Sequence, residues 1–451
     1  MKHRLRKQEY VFVASMLFGL VFGAGNLIFP ATMGQQAGSS MLPALIGFCM
    51  TGVGLPLLGI SAISITASEN LFDIGAKIDR RFAYVFTCAL YLCIGSLFAI
   101  PRTATVSFQV GAAPFVSSDV QALGLLLFTL IFFALVLYFS LRPSGILIWV
   151  GKVLNPLFLL FLGILIVTAV MSPMGTVWDA ELIGAYAEHA FFTGFLEGYN
   201  TMDVLAALAF GNILVRAIKR LGLSEPRAIS YSTIVSGTFS TALMALIYLA
   251  LTYVGAESRA VYGLDANGGD VLAHIAAHYL GVFGGVLLGI TITCACLKTA
   301  IGLVTACSTT FSELFPRSLS YPKYAVLFAL FSFAISNVGL SRIIAYSLPV
   351  LYFLYPLSIA LIALCLIEGL VGYHRPLYVC TILGTSIAAV FDFLRALPSG
   401  VQEALPAMEF LRALGNALPL VHIGMGWTIP ALIGLVCGGL ISARQRLDST
   451  H

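Results

Sequence analysis

Residues 22–30 read FGAGNLIFP and interrupt an apolar stretch, residues 10–34, that is long enough to cross a bilayer. Glycine weakens a helix, and proline lacks the amide donor that a helix interior needs. Backbone that leaves a helix at membrane depth is tolerated only where it is buried in protein or lines a polar cavity. The stretch therefore predicts a broken membrane span that holds a binding site, as in secondary transporters.

The composition of the chain is that of a membrane protein. Of its 451 residues, 59% are hydrophobic and 10% are charged, whereas soluble proteins carry about 25% charged residues. The net charge of +4 resides in predicted loops and does not indicate nucleic-acid binding. Nine cysteines show no paired spacing, so we expect neither a disulfide framework nor a metal site. The basic start, residues 2–7, precedes an apolar run too long for a signal peptide, which predicts an uncleaved first span.

Twelve segments contain the roughly 20 mostly apolar residues that a membrane span requires. They predict an all-α polytopic membrane protein with a single transmembrane transporter domain, residues 1–451. The predicted spans are 10–34, 41–66, 82–112, 120–140, 144–171, 189–216, 226–255, 276–312, 322–339, 341–368, 376–394 and 424–443.

The basic residues lie mostly on one side of these spans. An even number of spans places both termini on one side, and the loops and termini there carry 17 of the 24 Lys and Arg residues. The opposite loops carry four, and three fall within spans. Because positively charged loops stay in the cytoplasm, both termini are predicted to be cytoplasmic.

The sixth span is broken much as the first is, at residues 194–203, GFLEGYNTMD. Two interrupted spans five apart predict two five-helix units. Five spans bring the chain to the opposite side of the membrane, so the second unit is predicted to be inverted relative to the first. Repeat one covers about 10–171 and repeat two about 189–368, with two extra helices over 376–443. Interrupted segments in corresponding positions of two inverted halves are the best sequence indication of a transporter site.

The break in span 1 exposes the ends of two half-helices. The amides around Gly23, Ala24 and Gly25 can face an anionic group, which the helix dipole also favours. The freed carbonyls near Gly19, Phe22 and Gly23 can face a cation, and the Asn26 side-chain oxygen can join them as a sodium ligand. The competing interpretation is a glycine-rich span that packs tightly on a neighbouring helix.

Charged residues within the spans are the other candidates. Glu197 could receive a substrate ammonium or bind a proton, or it could neutralise a structural cation; Asp203 could instead cap the second half of span 6. Lys298 lies too deep in span 8 for its ammonium to reach the interface, so we expect it to meet carbonyls or a carboxylate, or to lose its proton. It could replace a bound monovalent cation or form a purely structural salt bridge. Arg102 could line an outward cavity or brace carbonyls.

Five stretches of the sequence resemble the bacterial branched-chain amino acid:cation symporters, the BrnQ or LIVCS type of the APC superfamily. The resemblance runs from the N-terminus to about residue 360 and rests on these motifs: 22–30 FGAGNLIFP, 99–107 AIPRTATVS, 197–203 EGYNTMD, 299–303 TAIGL and 336–341 SNVGLS. It implies twelve transmembrane helices with a LeuT-like 5+5 inverted repeat and discontinuous helices 1 and 6. It also implies a location in the bacterial cytoplasmic (inner) membrane.

The resemblance implies roles for individual residues as well. The amides of Ala24 and Gly25 would hold the substrate carboxylate, and carbonyls near Phe22, Gly23 and Phe195 would hold its ammonium. The substrate-binding set is completed by Glu197, Gly198 and Tyr199. A first sodium would use Asn26, and a second would use carbonyls near Gly19 and Phe22 with the hydroxyl of Thr299. Lys298 departs from the family pattern because it stands at or beside this second site.

Two transport hypotheses follow. The first is a secondary active importer of Leu, Ile and Val, with Met as a fourth candidate, driven by sodium or proton symport with no other cofactor. The alternative is a sodium-independent or proton-coupled transporter or exchanger in which Lys298 replaces a bound sodium and Lys298 or Glu197 carries the coupling. An integral membrane enzyme needs a cluster of Asp, His or Arg at one membrane face, and a channel needs repeated rings of charge. The sequence shows neither, so we predict that the chain is not an enzyme.

Overall fold

The structure of the protein, a computed structural model, describes residues 4–66, 68, 70–142, 146–178, 182–404 and 408–448. The regular structure in these ranges is helical. The α-helices are α1 (Lys7–Val21), α2 (Gly25–Ala37), α3 (Met41–Cys49), α4 (Leu55–Ile65), α5 (Leu71–Ala76), α6 (Arg80–Leu92), α7 (Ala99–Gly111), α8 (Gln121–Leu141), α9 (Ile146–Met171), α10 (Tyr186–Glu197), α11 (Asp203–Arg220), α12 (Pro226–Tyr262), α13 (Gly268–Leu314), α14 (Tyr321–Ser336), α15 (Leu340–Val371), α16 (Arg375–Ala396), α17 (Ser399–Glu403), α18 (Met408–Asn416) and α19 (Thr428–Asp448).

Each predicted span coincides with one of these helices or with consecutive helices separated by a short irregular segment. Residues 144 and 145, where the fifth predicted span begins, lie outside the described residues. In the described ranges, eight helical stretches are long and apolar enough to cross a membrane. The half-helices on either side of a break are shorter than a full span: α1, with 15 residues, is about 23 Å long. The all-helical membrane architecture is therefore confirmed, while the count of twelve spans stays a prediction.

The helix around one of the spans extends well beyond the predicted boundaries. The predicted span 276–312 lies within α13, which begins at Gly268 because the Asn267 side chain accepts hydrogen bonds from the amides of Gly269 and Asp270, at 2.9 and 3.2 Å. Gly281, with φ +60°, divides α13 into two parts. Hydropathy marks only the apolar part of a helix. It therefore predicted neither the start of α13 at Gly268 nor its division at Gly281.

Helix packing brings the two breaks together. We call residues 22–24 the first break and residues 198–202 the second break. Helix α2 packs on α12 and α13, α10 packs on α3, and α2 also contacts the 3₁₀ segment Gly198–Thr201 of the second break. Glycines permit these close approaches: a methyl group on Gly194 would lie 2.6 Å from the carbonyl carbon of Ala44. The two breaks, far apart in sequence, therefore face each other in the middle of the helical bundle.

Candidate functional site

The first break leaves backbone groups without their usual helical partners. Helix α1 ends at Val21, and Phe22 is extended, with φ −71° and ψ 112°. The amide of Gly23 donates to Asn26 Oδ1 at 2.7 Å, although in a continuous helix it would donate to the carbonyl of Gly19. The Asn26 side chain therefore closes the break and leaves the Gly19 carbonyl available to another donor or to a cation.

The N-terminus of α2 presents amides toward the break. The N-cap residue of α2 is Ala24, whose methyl group cannot accept a hydrogen bond from the first amides of the helix. Among the hydrogen bonds between described residues, the amides of Ala24 and Gly25 have no acceptor. Unpaired amides at a helix N-terminus favour an anionic group. The amide of Gly23 is occupied by Asn26, so two of the three predicted amides remain for a carboxylate.

Asn26 also connects the first break to the second. Its Nδ2 donates to Asp203 Oδ2 at 2.6 Å and to the hydroxyl of Tyr248, and that hydroxyl donates to Asp203 Oδ2 at 3.3 Å. Asn26 is 1% exposed and Asp203 2%, and Tyr248 is buried. The three form a buried triad from α2, α11 and α12. Asp203 thus bonds to side chains of α2 and α12, which favours a role in joining the helices over the alternative in which it only caps α11.

Arg102 braces the second break from α7. Its Nη1 donates to the carbonyl of Asn200 at 2.6 Å, and its guanidinium lies over the ring of Phe29 at 5.0 Å. A methyl group built on Gly25 would lie 3.0 Å from the same guanidinium. The prediction that Arg102 braces carbonyls is confirmed. The guanidinium also places a positive charge beside the unpaired amides at the start of α2.

The predicted substrate-binding residues of span 6 line the second break or lie next to it. The carbonyl of Phe195 accepts a hydrogen bond from Thr51 Oγ1 at 2.8 Å, which leaves one lone pair for a substrate ammonium. The ring of Tyr199 is buried and stacks on that of Tyr355, with centroids 4.1 Å apart. Gly198 packs against Thr51 so closely that a side chain would not fit. Glu197, the last residue of α10, is half-buried.

The residues of the predicted second sodium site surround one small cavity. This cavity has a volume of about 30 Å³ and lies between the first break and α13. Its lining includes Gly19, Phe22, Lys298 and Thr299. The volume suits a single water molecule or a monovalent ion. The residues named from the sequence as one cation site are thus neighbours in the structure.

Lys298 also borders a much larger cavity of about 670 Å³. That cavity runs from Gly19 and Thr299 to Arg216 and Glu313, near the ends of α11 and α13 that the charge bias predicts to be cytoplasmic. Between described residues, the Lys298 ammonium makes no hydrogen bond or ion pair. No carbonyl or carboxylate of a described residue is therefore bonded to this ammonium, and loss of its proton, the remaining alternative, stays a prediction.

The opposite side of the bundle is closed by a polar network. Gln35, near the end of α2, donates from Nε2 to Asp265 Oδ2 at 3.0 Å and accepts from the Asp265 amide at 3.1 Å. Asn267 donates to Ser341 Oγ at 3.2 Å. Gly268 packs directly on the carbonyl of Ile28. The break region therefore has a wide cavity on one side and a hydrogen-bonded polar network on the other.

Comparison with known proteins identifies the family. A sequence model described as "Branched-chain amino acid transport protein" matches residues 6–445. This chain belongs to that family. The branched-chain amino acid permease BrnQ of Lactobacillus delbrueckii subsp. lactis is 46% identical over 450 residues, covering 99% of this chain and 100% of that protein. BrnQ of Bacillus subtilis (strain 168) is 42% identical over 442 residues, covering 98% of both. The resemblance to BrnQ-type proteins is confirmed, as is the prediction of a transporter rather than an enzyme.

Solved structures support the fold of this family member. The inward-facing conformation of Mhp1 aligns with a TM-score of 0.62 at 13% identity, covering 96% of this chain and 91% of that chain. Mhp1 in a closed conformation with bromovinylhydantoin bound, described as a nucleobase-cation-symport-1 family transporter, gives 0.59 at 15% identity and covers 97% and 93%. At these identities the likeness shows the fold alone.

Two residues of the site, Tyr248 and Thr51, were not predicted as functional, whereas Asp203 was a candidate with two interpretations. Tyr248 and Thr51 are ordinary polar residues in long apolar stretches, and nothing in the sequence marks them. Asp203 carried a signal, because a carboxylate beside a broken span is costly at membrane depth. Its partner Asn26 lies 177 residues away in the chain. Sequence spacing within one span therefore could not reveal the contact.

Proposed function

We propose that this chain is a secondary active importer of branched-chain amino acids, working by cation symport and alternating access. Leu, Ile and Val are the proposed substrates, with Met as a fourth candidate. The curated relatives named as branched-chain amino acid permeases, aligned over nearly the whole chain, support the substrate class. The observation that carries the mechanism is the pair of facing breaks, with unpaired amides on one side and backbone carbonyls on the other.

The substrate backbone would lie between the breaks. Its carboxylate would accept from the amides of Ala24 and Gly25, with the Arg102 guanidinium alongside. Its ammonium would face the carbonyls near Phe22, Gly23 and Phe195. Aromatic walls, including Tyr199, would contact the side chain. One methylene contributes about 0.8 kcal/mol, so such walls would separate Leu, Ile, Val and Met only modestly.

The coupling cation would bind beside the same breaks. A sodium ion at the 30 Å³ cavity would use the carbonyls of Gly19 and Phe22 and the hydroxyl of Thr299. A second would use Asn26, whose Oδ1 accepts one bond from Gly23 and keeps one lone pair. Moving one charge through 100 mV supplies about 2.3 kcal/mol, enough for roughly fifty-fold accumulation. We propose the sodium ion or the proton as the coupling ion, with Glu197 as a coupling candidate.

The proposed architecture is a single domain with twelve spans. Repeat one would cover about 10–171 and repeat two about 189–368, with the extra helices at 376–443. Breaks in the first and sixth predicted spans support an inverted 5+5 repeat. The charge bias supports cytoplasmic termini in a bacterial cytoplasmic membrane. The wide cavity beside Arg216 and Glu313 would then open to the cytoplasm, and the Gln35–Asp265 network would close the outer side.

Uptake of labelled leucine into proteoliposomes tests this function, with sodium and proton gradients imposed separately. We expect accumulation above the external concentration, driven by one of the two gradients and reduced by unlabelled Ile or Val. Failure to take up any branched-chain amino acid would refute the substrate class. Uptake that neither gradient stimulates would refute cation symport while leaving the substrate class in place.

The second candidate is a sodium-independent or proton-coupled transporter or exchanger in which Lys298 replaces sodium. The observation that favours it is that Lys298 and Thr299 line the same 30 Å³ cavity as Gly19 and Phe22. An ammonium there would repel a second cation, and removing it would admit one.

For this candidate, Lys298→Thr is expected to create a sodium requirement or to strengthen it about tenfold, the equivalent of 1.4 kcal/mol. The measurement is leucine uptake against sodium concentration at two pH values. Lys323→Thr, which removes an exposed lysine from the start of α14, is the matched control and should leave both dependences unchanged. If Lys298→Thr also leaves both unchanged, the second candidate fails and ordinary symport is favoured.

A further inference from the structure

A second charged cavity lies beside the end of α10, away from the first break. It has a volume of about 320 Å³ and is bounded by α10, α15, α16 and the turn at residues 421–424. Glu197 lies in its wall together with Tyr352, Asp392 and Arg395. Its volume is at the lower end of the range of small-molecule sites, about 300–1,000 Å³. We call it the outer cavity, since the end of α16 and the turn at residues 421–424 lie on the predicted extracellular side.

Neither carboxylate of the outer cavity lies within ion-pair distance of a described cation, although Arg395 interacts with Asp392 electrostatically at longer range. Asp392 is 8% exposed and, within the described ranges, makes neither a hydrogen bond nor an ion pair. Glu197 is half-buried and forms no ion pair with any described residue. A buried carboxylate without a partner is costly. Asn200 and Arg395 compensate these carboxylates only in part, so the arrangement favours a cationic group bound in the cavity.

Arg395 adds the opposite charge to the same cavity. Its Nη1 donates to the carbonyl of Val421 at 3.0 Å, which holds the guanidinium at the turn that borders the cavity. It stands one helical turn from Asp392 on α16, yet the two form no ion pair. Separated charges of both signs fit a zwitterion, which brings an ammonium and a carboxylate a short distance apart. A simple metal cation would contact only Asp392 and Glu197 and would leave Arg395 unused.

The outer cavity lies next to the predicted substrate site. Glu197 is the last residue before the second break. Tyr352, in the cavity wall, has its ring 6.0 Å from that of Tyr199. A molecule released from the outer cavity would thus meet the aromatic residues of the break.

We propose that the outer cavity is a second amino-acid subsite, which captures the zwitterionic substrate on the extracellular side before it reaches the breaks. Asp392 and Glu197 receive the ammonium, and Arg395 receives the carboxylate. Helix α16, outside the predicted repeat, thereby contributes directly to recognition. This inference rests on the proposed transport of amino acids, and it assigns a function to a part of the chain that the repeat leaves unexplained.

The test uses Asp392→Asn and Arg395→Gln in right-side-out membrane vesicles, which hold the protein in one orientation. Losing a charged hydrogen bond costs about 1.5–3 kcal/mol, or about ten- to a hundredfold in affinity. We expect the KM for leucine uptake to rise by that factor in each variant, with Vmax unchanged. The KM for leucine efflux from loaded vesicles should stay at the wild-type value, because efflux begins at the opposite face.

The matched controls are Asp119→Asn and Arg342→Gln, which neutralise exposed residues in other predicted outer regions. Both should leave uptake and efflux unchanged. An uptake KM at the wild-type value in Asp392→Asn overturns the subsite, as does an equal rise in the KM for both directions. A change in cation dependence without a change in KM also overturns it, because the cavity would then take a cation alone. If the wild type transports no leucine, it is the proposed function that fails.

Discussion

Replacing Asp203 with alanine is expected to reduce leucine uptake at least about 100-fold. The change removes the acceptor of hydrogen bonds from Asn26 Nδ2 and the Tyr248 hydroxyl in a fully buried position. Each buried donor left without a partner costs about 1–3 kcal/mol. The two donors lie on α2 and α12, so the loss also releases the second break from the first. The measurement is initial leucine uptake per folded transporter, with folding checked by gel filtration of the purified protein.

Tyr248→Phe provides a graded comparison, because it removes one of the two donors and keeps the ring. It should lower uptake by only about tenfold: the hydroxyl's bonds to Asp203 and Asn26 are lost, but Asn26 Nδ2 still donates to Asp203 directly. The double variant Asn26→Ala with Asp203→Ala should be little worse than either single variant, since both break the same contact. Additive losses, or near-normal uptake by Asp203→Ala, would show that the triad does not hold the breaks in a working arrangement.

The positions of the breaks could be predicted because they depend on local chemistry. Gly23 lies in the first break and Gly25 begins α2, and glycine weakens a regular helix. Pro30 lies inside α2, so the break is shorter than the predicted stretch 22–30. The two π-helical segments, Met50–Gly54 and Cys93–Leu97, were not predicted. Both contain glycine, but glycine is also frequent in unbroken membrane helices, and neither segment contains proline. One of them matters for the site, because it places Thr51 against the carbonyl of Phe195.

The partners across the site could not be predicted, because they are set by how the helices rotate and pack. The sequence placed Gly19, Phe22 and Thr299 in one cation site through the family resemblance, and the structure shows that they line one cavity. No such pattern linked Asn26 to Asp203 or Arg102 to Asn200. The surroundings of Lys298 could not be predicted for a related reason. The cavity of about 670 Å³ beside it is formed by the packing of several helices and cannot be inferred from the sequence of one.

Arg102→Gln is expected to weaken leucine binding by about ten- to a hundredfold. The guanidinium is 3% exposed, donates to the carbonyl of Asn200 at 2.6 Å and lies beside Gly25. Its removal withdraws the positive charge next to the amides proposed to hold the substrate carboxylate, and a hydrogen bond to a charged group is worth about 1.5–3 kcal/mol. The measurement is equilibrium binding of labelled leucine to the purified protein in detergent, where no gradient contributes.

The decisive comparison uses an analogue of leucine that lacks the carboxylate, 3-methylbutylamine, as a competitor. If Arg102 acts on the carboxylate, Arg102→Gln weakens leucine binding but leaves the competitor's weaker affinity as it is in the wild type. If the arginine only braces the Asn200 carbonyl, both affinities fall together, because the second break itself is displaced. Arg342→Gln, an exposed arginine at the start of α15, should change neither affinity. Unchanged leucine binding in Arg102→Gln would exclude the guanidinium from recognition, and the amides of Ala24 and Gly25 would then have to hold the carboxylate by themselves.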